Sequence, residues 1–547
     1  MAAMTAGASR PPARARAPVP ALACILAAAL ALPAFAQAMQ ASAETDRAFV
    51  ARAVDETVAR YGLPGIAVGV LTPSGEEIRV VRGERVAGSG EPIDADTLFK
   101  IASNTKAMTA AVLARLVEAG KLAWDDPVVK HLPDFRMFDS WVTREMQVRD
   151  LLIHNSGLGA GAGDLMLWPD PNLFTRADVI HGLRYLKPAY SFRSRYAYDN
   201  SLYIVAGEVA AAAGGAPFDV LVRREVFAPL GMARCQAGAW SAQAVGNVAQ
   251  PHARRDGRNV PTRVDGPTIP DMPMLAAGGV RCSLADMLRW LRAWRDPGTA
   301  RAGGRPWLGD AQRAELWKPH TLMPLTARMR DWDRSHYSAY GYGWRLTDVD
   351  GTAKVSHTGT LGGMYSATAL LPDKRAAFVL LVNGDADDAR TVLSQVLVKR
   401  FTDPASRPTV AGYAARLDAA QAAGTQAARA RHDDARERTP VTAAQLRAVS
   451  GMYRDPWFGD VAVCLQAGRA TWAAAKSPKM VGEVMRSRGR WLVQWRNPDV
   501  DEEPWLRFTA ASAGTPARMT MAKINPDGDF SSDYEDLAFE RVGDCPA

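Results

Sequence analysis

Short apolar runs rich in β-branched residues, bounded by turn residues, occur at two places far apart in the chain. Residues 65–72 (GIAVGVLT) and 77–82 (EIRVVR) flank Pro73-Ser74-Gly75, which predicts a hairpin; residues 365–371 and 377–383 flank Pro372-Asp373 and predict another. Between them the pattern turns helical. Ala107 to Ala119 is rich in Ala, Leu and Val and meets Gly120, as a helix that stops at a glycine does. From Arg407 to Arg438 the chain is rich in Ala, Arg and Asp with few large apolar residues, which reads as a solvated helical linker. After Pro440 short strands with turn signals return, among them Asp460 to Leu465, Arg490 to Trp495, Trp505 to Phe508, Arg518 to Ile524 and Ala538 to Arg541.

The N-terminus carries a different pattern. Arg10, Arg14 and Arg16 precede an apolar stretch from Val19 to Leu32 that ends in Ala34-Phe35-Ala36, so residues 1–36 read as a signal peptide cleaved before Gln37. Cys24 fits a lipidation site poorly, because most of the apolar run follows it. No other stretch is long and apolar enough to span a bilayer, so no transmembrane anchor is expected after cleavage. Cleavage removes three of the 66 basic residues and no acid, which leaves 63 against 58, a charge of +5. That excess is small and scattered, and it argues against nucleic acid as a partner. A mature length of about 510 residues calls for more than one domain. Four cysteines remain, Cys235, Cys282, Cys464 and Cys545. An even number in an exported chain permits disulfides, with one pair per domain the first expectation and free buried thiols the alternative. None has metal-ligand spacing, so no metal and no other cofactor is expected.

The chemistry begins at Ser103-Asn104-Thr105-Lys106. One helical turn brings positions i and i+3 onto one face, so the Lys106 amine can activate the Ser103 hydroxyl. At the start of a helix the dipole favours both a developing oxyanion and a lowered lysine pKa. Free lysine is charged at neutral pH, so Lys106 must be desolvated or must share its proton. Tyr198, in Tyr198-Asp199-Asn200, is the natural partner, because a phenol titrates near ~10 and can exchange a proton with lysine. Which of the two is the general base stays open at this level. Asn200 would point the same way as Tyr198 in an extended segment, and so could hold Lys106 and a substrate amide.

These segments, with Leu151-Leu152-Ile153-His154-Asn155-Ser156-Gly157-Leu158 between them and His357-Thr358-Gly359 after them, resemble the serine β-lactamase and penicillin-binding-protein superfamily. The branch resembled holds class C β-lactamases, DD-carboxypeptidases, D-aminopeptidases and esterases, and the resemblance covers residues about 50 to 400. It implies an α+β fold, an antiparallel sheet built from both ends of the domain and flanked by helices, with a mostly helical lobe inserted. Pro229-Leu230-Gly231-Met232, Ala277-Gly278-Gly279-Val280 and the helix Leu284 to Trp294 also look familiar from the family, in structural roles. By resemblance Ser103, Lys106 and Tyr198 are catalytic. Asn200, His357, Thr358, Gly359 and Thr360 would bind substrate, with the backbone N–H groups of Ser103 and Thr360 forming the oxyanion hole. The third segment would be an edge strand, with Gly359, Gly362 and Gly363 leaving room for a substrate backbone. His357 departs from the usual Lys. It is shorter and mostly neutral, and the resemblance to members with His here, D-amino-acid peptidases, amidases and esterases, implies a peptidase or esterase over an efficient β-lactamase, with a purely structural histidine as the alternative.

Leu446 to Tyr453 and Leu537 to Arg541 resemble the lipocalin-like β domain often appended to this family. The expected organisation is therefore a signal peptide (1–36), a hydrolase domain (45–402), a helical linker (403–440) and a small antiparallel barrel-like domain (441–547). Trp457, Trp472, Trp491, Trp495 and Trp505 would pack its core, or line a glycan-binding groove. The function expected is that of a periplasmic or secreted serine hydrolase, working through an acyl-enzyme on Ser103. Its partner would be a small-molecule or peptide substrate, an ester or an amide such as a D-amino-acid peptide. A β-lactamase or penicillin-binding DD-carboxypeptidase and a catalytically silent cell-wall-binding module are the alternatives.

Overall fold

A computed structural model describes residues 44–429, 437–511 and 517–546. The signal segment and Cys24 lie outside the described residues. The first sheet joins the two ends of the hydrolase region. We number its strands β1 (Gly65–Leu71), β2 (Glu77–Gly83), β3 (Thr321–Leu322), β4 (Ser338–Tyr340), β5 (Arg345–Val349), β6 (Thr352–Leu361), β7 (Met364–Leu371) and β8 (Ala376–Val382). Their spatial order is β3-β4-β5-β6-β7-β8-β1-β2, antiparallel throughout, with Gly69 opposite Val379 in the β1–β8 pair that ties the ends together. Both expected hairpins are present, β1–β2 and β7–β8.

β1 and β8 are buried along their whole length, which accounts for their unbroken apolar runs. Helices cover the sheet. The first helix at the site, α1 (Thr105–Glu118), packs against α2 (Ser201–Gly214) in the inserted lobe, while α3 (Leu284–Arg295) and α4 (Asp387–Thr402) pack on β1, β7 and β8. Gly69 is required there, since a Cβ would lie 2.8 Å from the Leu288 side chain. The helix α5 (Val410–Arg429) differs from a solvated linker: Val410, Tyr413, Ala414 and Leu417 are buried, and Tyr413 meets Trp332 at 5.2 Å between ring centroids.

The C-terminal strands are β9 (Gly451–Asp455), β10 (Gly459–Gln466), β11 (Arg469–Ala474), β12 (Val481–Ser487), β13 (Arg490–Trp495), β14 (Pro504–Thr509), β15 (Arg518–Lys523) and β16 (Ala538–Gly543). They run antiparallel in the order β12-β11-β10-β9-β16-β15-β14-β13, and β12 pairs with β13 to close an eight-stranded barrel. Closure removes the exposed edges of a sheet this small. Trp457, Trp472 and Trp495 are buried in the main apolar core with half-buried Trp491 packed against it, and Trp505 is buried in a smaller cluster with Met485 and Leu492. Two disulfides form, Cys235–Cys282 and Cys464–Cys545, one in each region.

The described residues from Val50 onward form one compact unit, and barrel and hydrolase region share one apolar core that includes Phe174 and Phe458. Polar contacts accompany it. The Leu173 N–H donates to the Lys476 carbonyl at 2.8 Å, and Lys476 pairs with Asp178 at 2.7 Å.

Candidate active site

The nucleophile candidate sits on a tight turn. Ala102–Asn104 form one 3-10 turn immediately before α1, with Ala102 at a φ of +48°. Asn104 bolts this turn to β7. Its amide donates to Ser366 Oγ at 2.8 Å and its oxygen accepts from Thr368 Oγ1 at 2.6 Å, while Ser366 Oγ donates to the Ile101 carbonyl at 2.7 Å.

One turn on, Lys106 is fully buried and donates to three oxygens: Ser103 Oγ at 3.1 Å, Asn200 Oδ1 at 2.8 Å and the Ala277 carbonyl at 2.8 Å. The Ala277-Gly278 segment therefore reaches the site as well as packing. Burial lowers the Lys106 pKa to about 7, with Asp164 opposing that shift and Arg345 adding to it. In its neutral form the amine donates to Asn200 and Ala277 and turns its lone pair to the Ser103 hydroxyl. Tyr198 moves the other way. Burial pushes its phenol well up, against the pull of Arg345 and of a hydrogen bond with Ser103. Burial thus moves the two groups apart, the amine down and the phenol up.

The segment Leu151–Leu158 builds the loop that carries Tyr198. Ser156 Oγ donates to Asp199 Oδ2 at 2.5 Å, the Asp199 N–H donates to His154 Nδ1 at 3.0 Å, and Tyr203 OH donates to the Leu152 carbonyl at 2.7 Å. His154 lies under the Tyr198 ring, 4.3 Å between centroids. Burial and the charges of Lys106, His357 and Arg345 hold its pKa well below the usual histidine range. Asn200 Oδ1 accepts from Lys106, and its amide donates to Asp164 Oδ2 at 2.8 Å, so Asp164 fixes which end of the amide faces the lysine.

The third segment differs from the expectation. β6 is interior to the sheet, between β5 and β7, but β5 pairs with it only as far as Arg345 opposite Ser356, which leaves residues 357–361 uncovered on that side. Alternation then sorts the side chains. Ser356, Thr358 and Thr360 face a cleft of about 1120 Å³ that also contains Ser103, Tyr198 and Asn200. His357 is buried behind them. Its Nε2 accepts from Tyr340 OH at 2.7 Å, and burial holds its pKa well below the usual value, so the ring backs the strand from behind the cleft-facing side chains. The glycines make room for protein. A Cβ on Gly359 would lie 2.3 Å from the Ile101 carbonyl oxygen, one on Gly362 would meet Arg263, and one on Gly363 would meet His252.

Sequence reading missed four contributors. Asn104 lay inside the first motif without an assigned task. Asp164 and Arg345 lacked any local signal, being one acid among many and one arginine among many. Arg345 lines the cleft, donates to Thr358 Oγ1 at 2.7 Å, and forms no ion pair with a carboxylate among the described residues. The fourth is a barrel segment, Asp529–Ser532, which also lines the cleft, with Phe530 against the Tyr198 ring at 5.8 Å.

A family model described as Beta-lactamase matches residues 50–398. Unguisins hydrolase ungD of Aspergillus violaceofuscus is 26% identical over 61% of this chain, which spans only 60% of that protein. Esterase EstB of Burkholderia gladioli is 31% identical over 58% of this chain and 86% of its own length. The octameric penicillin-binding protein homologue from Pyrococcus abyssi superposes on 90% of this chain and all of its own, with a TM-score of 0.56 and 17% identity, a likeness of fold. With a sheet joined from both ends, a helical lobe and a family match over more than half its length, the chain belongs to the beta-lactamase family.

Proposed function

We propose that this chain is an exported serine hydrolase that forms an acyl-enzyme on Ser103 and hydrolyses it with water. The observation that carries the reading is the Lys106 amine, buried, lowered toward neutrality and 3.1 Å from Ser103 Oγ. Neutral Lys106 takes the hydroxyl proton as Oγ attacks the acyl carbon. The backbone N–H groups of Ser103 and Thr360 face the oxyanion, and the proton passes from Lys106, or through Tyr198, to the leaving ester oxygen or amide nitrogen. Water then attacks the acyl-enzyme with the same base and releases the acid.

Arg345 suggests the substrate class. A guanidinium in the cleft, beside Thr358 and without an acidic partner, suits a carboxylate on the substrate, such as the C-terminus of a peptide. It takes over the charge that a Lys at position 357 would supply. Relatives named as a hydrolase and an esterase support ester or amide cleavage. Penicillins also carry a carboxylate, so the same site supports a second reading, acylation by β-lactams. Two disulfides, together with residues 1–36, support a periplasmic or secreted location.

The test is site mapping. The mature protein and its Lys106→Ala variant are treated with a fluorophosphonate, digested and analysed by mass spectrometry. The reading expects label on Ser103 that the variant loses. An unlabelled Ser103 in folded wild-type protein, repeated with a second acylating probe, rejects it and favours a silent binding module. Nitrocefin turnover would identify a β-lactamase, and a stable penicilloyl adduct a penicillin-binding protein.

A further inference from the structure

The barrel reaches the catalytic lysine through two side chains. Ser531 Oγ donates to Asp164 Oδ2 at 2.7 Å, the same oxygen that accepts from the Asn200 amide at 2.8 Å, and Asn200 in turn holds Lys106 at 2.8 Å. Asp533 docks the segment from the other side, taking the Gly163 N–H at 2.6 Å and the Leu165 N–H at 3.0 Å. These two N–H groups bracket Asp164, so three contacts converge on one turn of the hydrolase region. Gly161 lies against the segment as well: a Cβ there would sit 2.5 Å from the Phe530 carbonyl oxygen, and the Gly161 N–H donates to the Tyr198 carbonyl at 2.9 Å.

The segment is shaped before it docks. The Ser531 N–H donates to Asp529 Oδ1 at 2.9 Å, the Asp529 N–H to Glu502 Oε1 at 3.1 Å, and Tyr534 OH to the Glu502 carbonyl at 2.8 Å, all within the barrel. Such preorganisation lets a loop hold another group still at little entropic cost. We propose that Ser531 and Asp164 are positioning residues of the hydrolase site, through which the C-terminal barrel sets the orientation of Asn200 and hence the basicity of Lys106. This rests on the acyl-enzyme reading above.

The sign of the effect follows from the charges around the lysine. Facing Lys106 are Asp164, Arg345, His357 and His154, with the rings of Tyr198 and Tyr203 at 4.8 and 5.2 Å; facing Asp164 are Lys106, Asp199 and Asp533. Burial raises the Asp164 pKa to about 8, and the bonds from Ser531 and Asn200 and the charge of Lys106 oppose that shift. Asp164 and Lys106 titrate as a pair: the Ser531 and Asn200 bonds favour the form in which Asp164 is charged and Lys106 protonated, so removing the Ser531 hydroxyl shifts the pair toward neutral Asp164 beside a free amine. The Lys106 free amine then appears at lower pH, while the loosened Asn200 slows acylation.

The experiment uses the full mature chain with Ser531→Ala, Ser531→Thr and Asp164→Asn. The rate of fluorophosphonate labelling at Ser103 is followed from pH 5 to 9, beside the thermal midpoint of each protein. We expect Ser531→Ala to label about tenfold more slowly on the plateau, the scale of one lost hydrogen bond, with its pH midpoint moved acid-ward and its thermal midpoint kept. Asp164→Asn should move both further the same way, and Ser531→Thr should restore both. A Ser531→Ala protein with wild-type rate and midpoint overturns the proposal. So does one that slows only as it loses thermal stability, with an unmoved pH midpoint. Wild-type protein that is itself unlabelled rejects the acyl-enzyme reading and this inference with it, whereas labelled wild type beside an indifferent Ser531→Ala rejects the barrel's role alone.

Discussion

Lys106 is a lysine buried away from solvent, 3.1 Å from the Ser103 hydroxyl, and burial disfavours its charged form. The direction of the pH dependence follows: below a pH of about 7 the amine is protonated and inert, and above it the base is available. Acylation of Ser103 should therefore rise with pH, half-maximal near that value, and Lys106→Arg should lie at least about a hundredfold lower at every pH. Single-turnover labelling across the pH range checks both. Arg345 is the second residue whose charge is exposed to test. If it receives a substrate carboxylate, Arg345→Gln should raise KM for anionic esters by about ten- to a hundredfold, as for a lost charged hydrogen bond, and leave uncharged esters of the same size within about twofold. Matched p-nitrophenyl esters with and without a carboxylate separate the two.

At the scale of the element, a site this small depends on close approach between a turn and a strand. Ala102–Asn104 lie on β6 and β7 with Gly359 as the contact, where a Cβ would come within 2.3 Å of the Ile101 oxygen and 2.5 Å of Ser366 Oγ. Backbone cannot yield as a flexible side chain can. Gly359→Ala should thus lower stability by about 1–3 kcal/mol, as overpacking does, and slow labelling by moving Ser103 away from Lys106. Urea unfolding and the labelling rate measure the two effects separately. The strand period explains why the His357 motif was legible and its role was not. The motif marked the right strand, but the pleat places Thr358 and Thr360 in the cleft and His357 behind it. Which face of a strand meets solvent is set by its neighbours, and β5 begins only at Arg345, which no local signal marks.

At the scale of the whole molecule, a disulfide fastens the C-terminal barrel. Cys464–Cys545 closes a span of 81 residues and fastens the chain beyond β16 to β10. Replacing both cysteines by serine should lower the unfolding free energy by about 2–4 kcal/mol, read as a shift of the denaturant midpoint. Because the barrel and the hydrolase region share one apolar core, loss there should reach the active site, not stay local. Sequence alone determined the Ser103–Lys106 motif, the two hairpins, the helix that ends at Gly120 and a C-terminal β domain, and left open whether the four cysteines pair. Each of the elements it determined depends on residues close in sequence, so local pattern is sufficient. Tertiary structure decided the rest: the burial of the Lys106 amine beside Ser103, the place of Arg345 in the cleft, Asp164 behind Asn200, and a barrel segment in the cleft. Those outcomes depend on burial and on charges brought together across hundreds of residues, and neither quantity exists until the chain has packed.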